Sequence, residues 1–242
     1  MSDYGLIVKT PSGGIQIDST YRNYCRQSEG TSVISNDGTA TGYFTTVNIT
    51  ASPLVPLMLT RPNTDYFVVI KTYQKTGDNY DGIAIVTESN VSTTIDWKLY
   101  RETYETSLEN YGFRVWNPNG KLVFDSGKSY FKIHAVESIT LANPDPNNLP
   151  YPYVDIVHAD ISDPFYILSP GSYYIATVKI LPEQGTSLIS YFAIGMKKLS
   201  ATSIRIGWFT VCTEEAPFVD EITPGGWNPT QKLIICKVLN YF

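Results

Sequence analysis

Few residues in this chain have the types and spacing that chemistry requires. The two histidines are His134, in "YFKIHAVESI", and His158, in "DIVHADISD" beside Asp155, Asp160 and Asp163. On a strand, His158 and Asp160 would share a face, which is the start of a metal site but not a complete ligand set. With no second histidine nearby, a polar strand end is the better reading, and no metal or other cofactor is expected. His134 alternates with Phe131 and Ile133, so it should face away from the core or be paired. "TGDNYDG" (76–82) has the oxygen-rich look of a calcium loop but lacks the regular ligand alternation and the distal Glu, so a hairpin tip is expected there. "SNDG" (35–38) reads as a tight turn of the same kind. Nucleophile elbows, phosphate-binding glycine loops and zinc-protease helices are missing from the sequence. The carboxylates are scattered, with no pair marked as flanking a substrate groove. The reading is therefore non-enzymatic.

The aromatic residues are the other source of chemistry. Trp97, Trp116, Trp208 and Trp227 fall in or beside strand-like segments and are expected to fill cores. Tyr151 and Tyr153 lie in "NPDPNNLPYPY" (143–153), whose four prolines and lack of periodicity mark a loop of polyproline character. Loops on a rigid scaffold commonly carry contacts, so these two tyrosines are the candidate surface-contact residues.

The elements that must position these groups are strands. "FVVIKTY" (67–73), "GIAIVTE" (82–88), "KLVFDS" (121–126), "YYIATVKIL" (173–181), "SIRIGWFTV" (203–211) and "KLIICKVL" (232–239) are rich in β-branched and aromatic residues and bounded by Gly, Pro, Asn and Asp. No window holds a helical period over three turns. The best candidate, "RETYETSLE" (101–109), is polar throughout and would give one short turn at most. The chain is all-β.

One phrase is written twice, 107 positions apart and without a gap: "YGLIVKTPSGGIQIDS" (4–19) and "YGFRVWNPNGKLVFDS" (111–126). Each reads as a strand, a Pro-x-Gly turn and a returning strand. Gly13 and Gly120 would supply positive φ, while Asp18 and Asp125 would cap the exit. Fainter echoes follow in the same order. "RPNTDYF" (61–67) matches "SPGSYYI" (169–175), and 82–97 matches 191–206. The sequence thus predicts two tandem β-sandwich-like domains of about 108 residues related by internal duplication. The first, 1–107, has the plainer hairpin and no insertion, which suits docking. The second, 108–242, carries the 143–153 loop and a C-terminal hairpin or tail over 222–242, where "WNPTQKLI" echoes "WNPNGKLV".

Bulk properties exclude some partners. With 242 residues, 18 Lys and Arg against 23 Asp and Glu, and a net charge of -5, the chain argues against a nucleic-acid partner, and the longest basic run is Lys197-Lys198. No run approaches the length of a membrane span, and the N-terminus lacks a basic region followed by an apolar run, so neither membrane insertion nor a signal peptide is expected. Three cysteines (Cys25, Cys212, Cys236) without metal or redox spacing read as reduced thiols.

The pattern Tyr-Gly-apolar-x-Val-x-Asn-x-x-Gly-x-apolar-x-Phe-Asp-Ser at 111–126, and its variant at 4–19, resembles the opening of small β-rich tail proteins of tailed bacteriophages. The first copy departs from the pattern at Thr10 and Ile17, keeping the turn and the apolar face. The resemblance implies a structural protein of the virion, at the tail tip or in the fibre region. It would be assembled in the bacterial cytoplasm with other tail proteins, as a trimer or hexamer by analogy with tail symmetry, and would contact a host-surface glycan or protein. Two other readings remain open: a carbohydrate-binding module with no virion role, and a tail component that degrades polysaccharide.

Overall fold

The computed structural model describes residues 7–9, 15–18, 23–36, 43–88, 92–102, 106–110, 112–142, 144, 149–158, 164–168, 175–181, 186–217 and 230–240. Among them there is no helix. The strands of the first part are β1 (Ile7–Lys9), β2 (Ile15–Asp18), β3 (Tyr24–Asn36), β4 (Tyr43–Ser52), β5 (Leu57–Pro62), β6 (Val68–Thr76), β7 (Asn79–Thr87) and β8 (Thr93–Glu102). Those of the second are β9 (Arg114–Trp116), β10 (Leu122–Asp125), β11 (Phe131–Ala142), β12 (Tyr153–Val157), β13 (Phe165–Leu168), β14 (Ile175–Leu181), β15 (Thr186–Ser200), β16 (Ser203–Pro217) and β17 (Thr230–Asn240).

The described strands of the repeated phrase pair alike in both copies. In the first copy Ile7 pairs with Asp18, Val8 with Ile17 and Lys9 with Ile15. In the second, Arg114 pairs with Asp125, Val115 with Phe124 and Trp116 with Leu122. Every pair, and the irregularity in register between the second and third, is shifted by the 107 residues that separate the phrases. Both hairpins stand apart from the main sheet as two-stranded ribbons. In the second, the Asn117 side-chain oxygen accepts the N–H groups of Asn119 and Lys121, and the Asn117 carbonyl accepts that of Gly120. Gly120 has φ +72°, and a Cβ there would meet nothing within 4 Å. Strain would therefore come from the backbone alone. Gly120→Val is expected to destabilise the protein by more than about 1 kcal/mol, read from the urea midpoint, because a β-branched residue resists positive φ. An unchanged midpoint would remove this account of the turn. Gly13 lies outside the described residues, as does the side chain of Asp18.

The hairpin expected at 76–82 is also present. Thr76 pairs with Asn79 across Gly77 and Asp78, with Gly77 at φ +60°. Over 101–109, Arg101 and Glu102 end β8, and 106–109 form no helix.

Thirteen strands join in one curled antiparallel sheet, in the order β11-β17-β13-β5-β8-β3-β4-β7-β6-β15-β16-β12, with β14 added on β15. The curl comes at β3. Its body pairs with β8, and only Ser35 and Asn36 at its end pair with Phe44 and Tyr43 of β4. One leaf therefore runs from β11 to β3 and the other from β4 to β12, and the two face each other across the core. Period-two alternation sends Ile34, Met58, Ile95, Leu99, Ile139, Leu141 and Tyr166 inward from the first leaf. From the second leaf come Val47, Val68, Ile83, Ile85, Phe192, Ile194, Ile204, Ile206 and Trp208. Each fully buried aliphatic or aromatic side chain here contributes about 1.5–3 kcal/mol relative to exposure. Smaller apolar clusters back both leaves: Leu59, Tyr100 and Phe165 behind the first, and Phe67, Val69, Val86, Ala193, Phe209 and Val211 behind the second.

The two halves order their strands alike. After its hairpin, the first half places its first, sixth and third strands side by side (β3-β8-β5) and its fourth, fifth and second likewise (β6-β7-β4). With β14 set aside as an addition, the second half repeats this as β11-β17-β13 and β15-β16-β12, which makes β16 the counterpart of β7, whereas the echo of 82–97 in 191–206 would have made it β15. The stretch read from sequence as a closing hairpin or tail therefore supplies β17, which pairs with both β11 and β13. The halves meet third strand to third strand, through Thr60 and Tyr166, and fourth to fourth, through Val68 and Met196. Like edges meeting antiparallel is the geometry of a two-fold contact.

Candidate functional site

The tryptophans divide by environment. Trp208 is buried and donates its indole N–H to the Ala142 carbonyl at 2.8 Å. Trp97 packs on the core and donates to Ser32. Trp116 departs from the expectation of a core residue, being 51% exposed. It alternates with Val115, whose face of the ribbon is the one that packs on Val123 and Phe124. Trp227 lies outside the described residues.

Tyr151 and Tyr153 also separate. Tyr151 precedes β12 and falls back under the sheet, its ring edge-on to Phe192 with centroids 5.0 Å apart and its hydroxyl accepting from Thr210. Tyr153 opens β12, so alternation takes over from there. Val154 and Ile156 turn to the core, while Tyr153, Asp155 and Val157 turn outward. Tyr153 is 42% exposed.

The register of β12 on β16 places Tyr153 opposite Gly207 and Asp155 opposite Arg205, and that of β15 on β16 places Lys197 on the other side of Arg205. These residues build one outward face. Arg205 donates Nε–H to Asp155 Oδ1 at 2.7 Å and Nη2–H to Oδ2 at 2.8 Å, a bidentate fork. Its guanidinium carbon lies 3.7 Å from the centroid of the Tyr153 ring. Gly207 makes the approach possible, because a Cβ there would stand 2.7 Å from Tyr153 Cβ and 3.1 Å from the Pro152 carbonyl. The Lys197 ammonium lies 4.8 Å from the ring of Phe67, which stacks on Phe209. Hydrogen bonding from Arg205 holds the Asp155 carboxyl below the ordinary range against the opposing effect of partial burial, with Lys197 adding to the attraction. The same bond raises Arg205. The pair stays charged at neutral pH and neutralises itself.

The chemistry on offer is a partly exposed aromatic ring, one face of which carries the guanidinium of a donor and acceptor pair with hydrogen-bonding capacity to spare. Arg205 carries no signal in the sequence that marks it as part of a site. The alternations Tyr-x-Asp in "YVDIV" and Arg-x-Gly in "IRIGW" were visible, but nothing local says that they are neighbours.

His158 is buried at the end of this strand and is not an exposed ligand. Its Nε2 shares a hydrogen bond with the Tyr166 hydroxyl at 2.9 Å, and its backbone N–H donates to Thr202. Asp160 and Asp163 lie outside the described residues, as does the side chain of His134. Among the described residues, no three His, Cys, Asp or Glu side chains come together as a metal site would require. Cys25 is a buried free thiol. A shallow concavity with room for little more than a water molecule lies where the halves meet, lined by Arg61, Pro62, Tyr166, Lys198 and Ile204, and its Arg61 is held by Asp96.

Asp125 is a structural hub. Its carboxylate accepts from the Ser107 N–H at 2.7 Å, the Ser107 hydroxyl at 3.0 Å, the Gly127 N–H at 2.9 Å and Arg114 Nε–H at 3.0 Å. It therefore caps the hairpin exit, and it also ties the segment before the hairpin to it. Ile7 stands where the first copy would need a counterpart of Arg114.

No known family, curated protein or solved structure matches the chain. Among the described residues, no helix is long and apolar enough to cross a membrane.

Proposed function

We propose that this chain is a non-enzymatic structural protein of a phage virion, placed at the tail tip or in the fibre region, where it joins other tail proteins as a homo-oligomer. The observation that carries the reading is the repeated phrase. Within the phrase that resembles the opening of phage tail modules, the described strands of both copies pair antiparallel in identical register. The shared strand order of the halves supports their origin by duplication of one β module. In this reading the first half docks to the tail, and the second, which carries the Tyr153 face, contacts the host.

The test is to label tailed particles with gold-conjugated antibody against the purified protein. Label at one end of the tail is expected. Particles that carry none of the protein, from cells that make it in quantity, would overturn the virion reading. The Tyr153, Asp155 and Arg205 face favours one alternative, a carbohydrate-binding module without a virion role, which predicts a glycan-binding monomer absent from particles.

A further inference from the structure

We propose that the outward face formed by Tyr153, Asp155 and Arg205, with Gly207 beneath, binds a neutral saccharide. The proposal deepens the host-contact part of the reading above and rests on it only for its biological setting. The class of ligand follows from the chemistry of the face. A pyranose ring offers a flat set of C–H groups to an aromatic plate and vicinal hydroxyls that both donate and accept, and the face supplies the complement of each. Tyr153 is 42% exposed, and with the guanidinium over one face of its ring at 3.7 Å a pyranose would stack on the other. The fork to Asp155 uses only part of the hydrogen-bonding capacity of either partner, leaving N–H groups and carboxylate lone pairs in the plane of the pair.

Charge decides between saccharides. A phosphate or uronate would have to compete with a carboxylate already seated bidentate on Arg205, whereas a neutral sugar bridges the pair without breaking it. Preorganisation favours binding too. Arg205 is held by the fork and the stack, and Tyr153 is the first residue of a strand, so little side-chain freedom remains to be lost.

Among the described residues, the first half shows no such face. Its strands in the same positions, β4, β7 and β6, also place a glycine in the central strand, Gly82, but it lies against Thr46 and Gln74, which bond to each other. The two halves share an order of strands and differ in what they present, as expected when one of them recognises a ligand.

The test uses the full chain on immobilised dextran, mannan and galactomannan, with alginate as the acidic comparison. Wild type is expected to bind at least one neutral polysaccharide, with little change between low and high salt. Tyr153→Ala is expected to weaken binding about tenfold or more, and Arg205→Lys, which keeps the charge but loses the plane, by a similar factor. Tyr153→Phe should stay within about threefold of wild type. Asp155→Asn, at a partly exposed position, provides a second loss-of-binding variant should Tyr153→Ala fold poorly. The proposal is overturned by binding to none of the neutral polysaccharides, by salt-sensitive binding to alginate alone, or by Tyr153→Ala, Arg205→Lys and Asp155→Asn folding and binding as wild type does. Protein that binds dextran but is missing from particles would sink the virion reading and leave this one standing.

Discussion

Alanine in place of Trp208 is expected to cost about 3–5 kcal/mol of unfolding free energy, the range for a large aromatic removed from a packed core. Three contributions add there. The indole is 2% exposed and packs in the cluster that both leaves share, so its removal opens a cavity where the sandwich closes. Its N–H satisfies the Ala142 carbonyl at the end of β11, and alanine leaves that acceptor without this donor. The bond also ties β11 in one leaf to β16 in the other, so the loss is felt across the core. Trp208→Phe separates the terms, keeping most of the volume and losing the hydrogen bond, with about 1–2 kcal/mol expected. Urea denaturation followed by circular dichroism measures both. A loss under about 1 kcal/mol for the alanine variant would show that the leaves do not depend on this residue.

Acid should find Asp125. Burial by itself pushes this carboxyl up, but the Ser107 and Gly127 N–H groups, Arg114 and the Ser107 hydroxyl outweigh it and bring the pKa from 3.8 down to about 2. A carboxyl with a lowered folded value stabilises the fold above its unfolded value and loses that contribution as pH falls through the folded one. The window is therefore from about pH 4 down to about pH 2, and the group's contribution at neutral pH is about 2 kcal/mol. The side chain is only 1% exposed, so solvent screening takes little from this figure. Asp125→Asn is expected to lose about 2–3 kcal/mol at pH 7, because Arg114 keeps its charge while its partner loses its own. The difference from wild type should shrink as pH falls toward 2. Asp96, a carboxylate that Thr31, Asn63 and Arg61 hold below the usual range against the effect of burial, titrates in both proteins and cancels from the comparison. A difference independent of pH would assign the loss to shape rather than charge.

What could be read from the sequence follows the range of the interactions involved. The pairing of 7–9 with 15–18, the hairpin at 114–125 and the turn at Gly77 were legible because proline, asparagine and glycine fix a turn within four residues. The all-β class was legible from short alternating runs bounded by turn residues. The order in which strands lie was not, since β17 enters between β11 and β13 from about a hundred residues away, and only packing selects that place. The same limit hid half of the candidate site. Tyr153 could be suspected from its loop, but Arg205 joins it through a pairing fifty positions long. Tyr151 and Tyr153 looked alike in sequence, and the point at which the strand begins divides them. Trp116 looked like core because it sits in a strand, yet a ribbon of two strands has too little depth to bury both faces.

The junction between the halves has a further consequence. Were each half a separate chain, β5, β6 and β13 would be bare edges, as would the part of β15 that β14 leaves uncovered, and a partner would have to be found by diffusion. Connection through residues 103–113 makes that encounter intramolecular, with an effective concentration in the millimolar range for a short tether. The pairing of Thr60 with Tyr166 and of Val68 with Met196 is thus indifferent to dilution. The tether also removes the rule that binds a true dimer, in which every change on one side is copied on the other. Only under that freedom can one side keep Thr46 and Gln74 around its central glycine while the other sets a tyrosine and an arginine there.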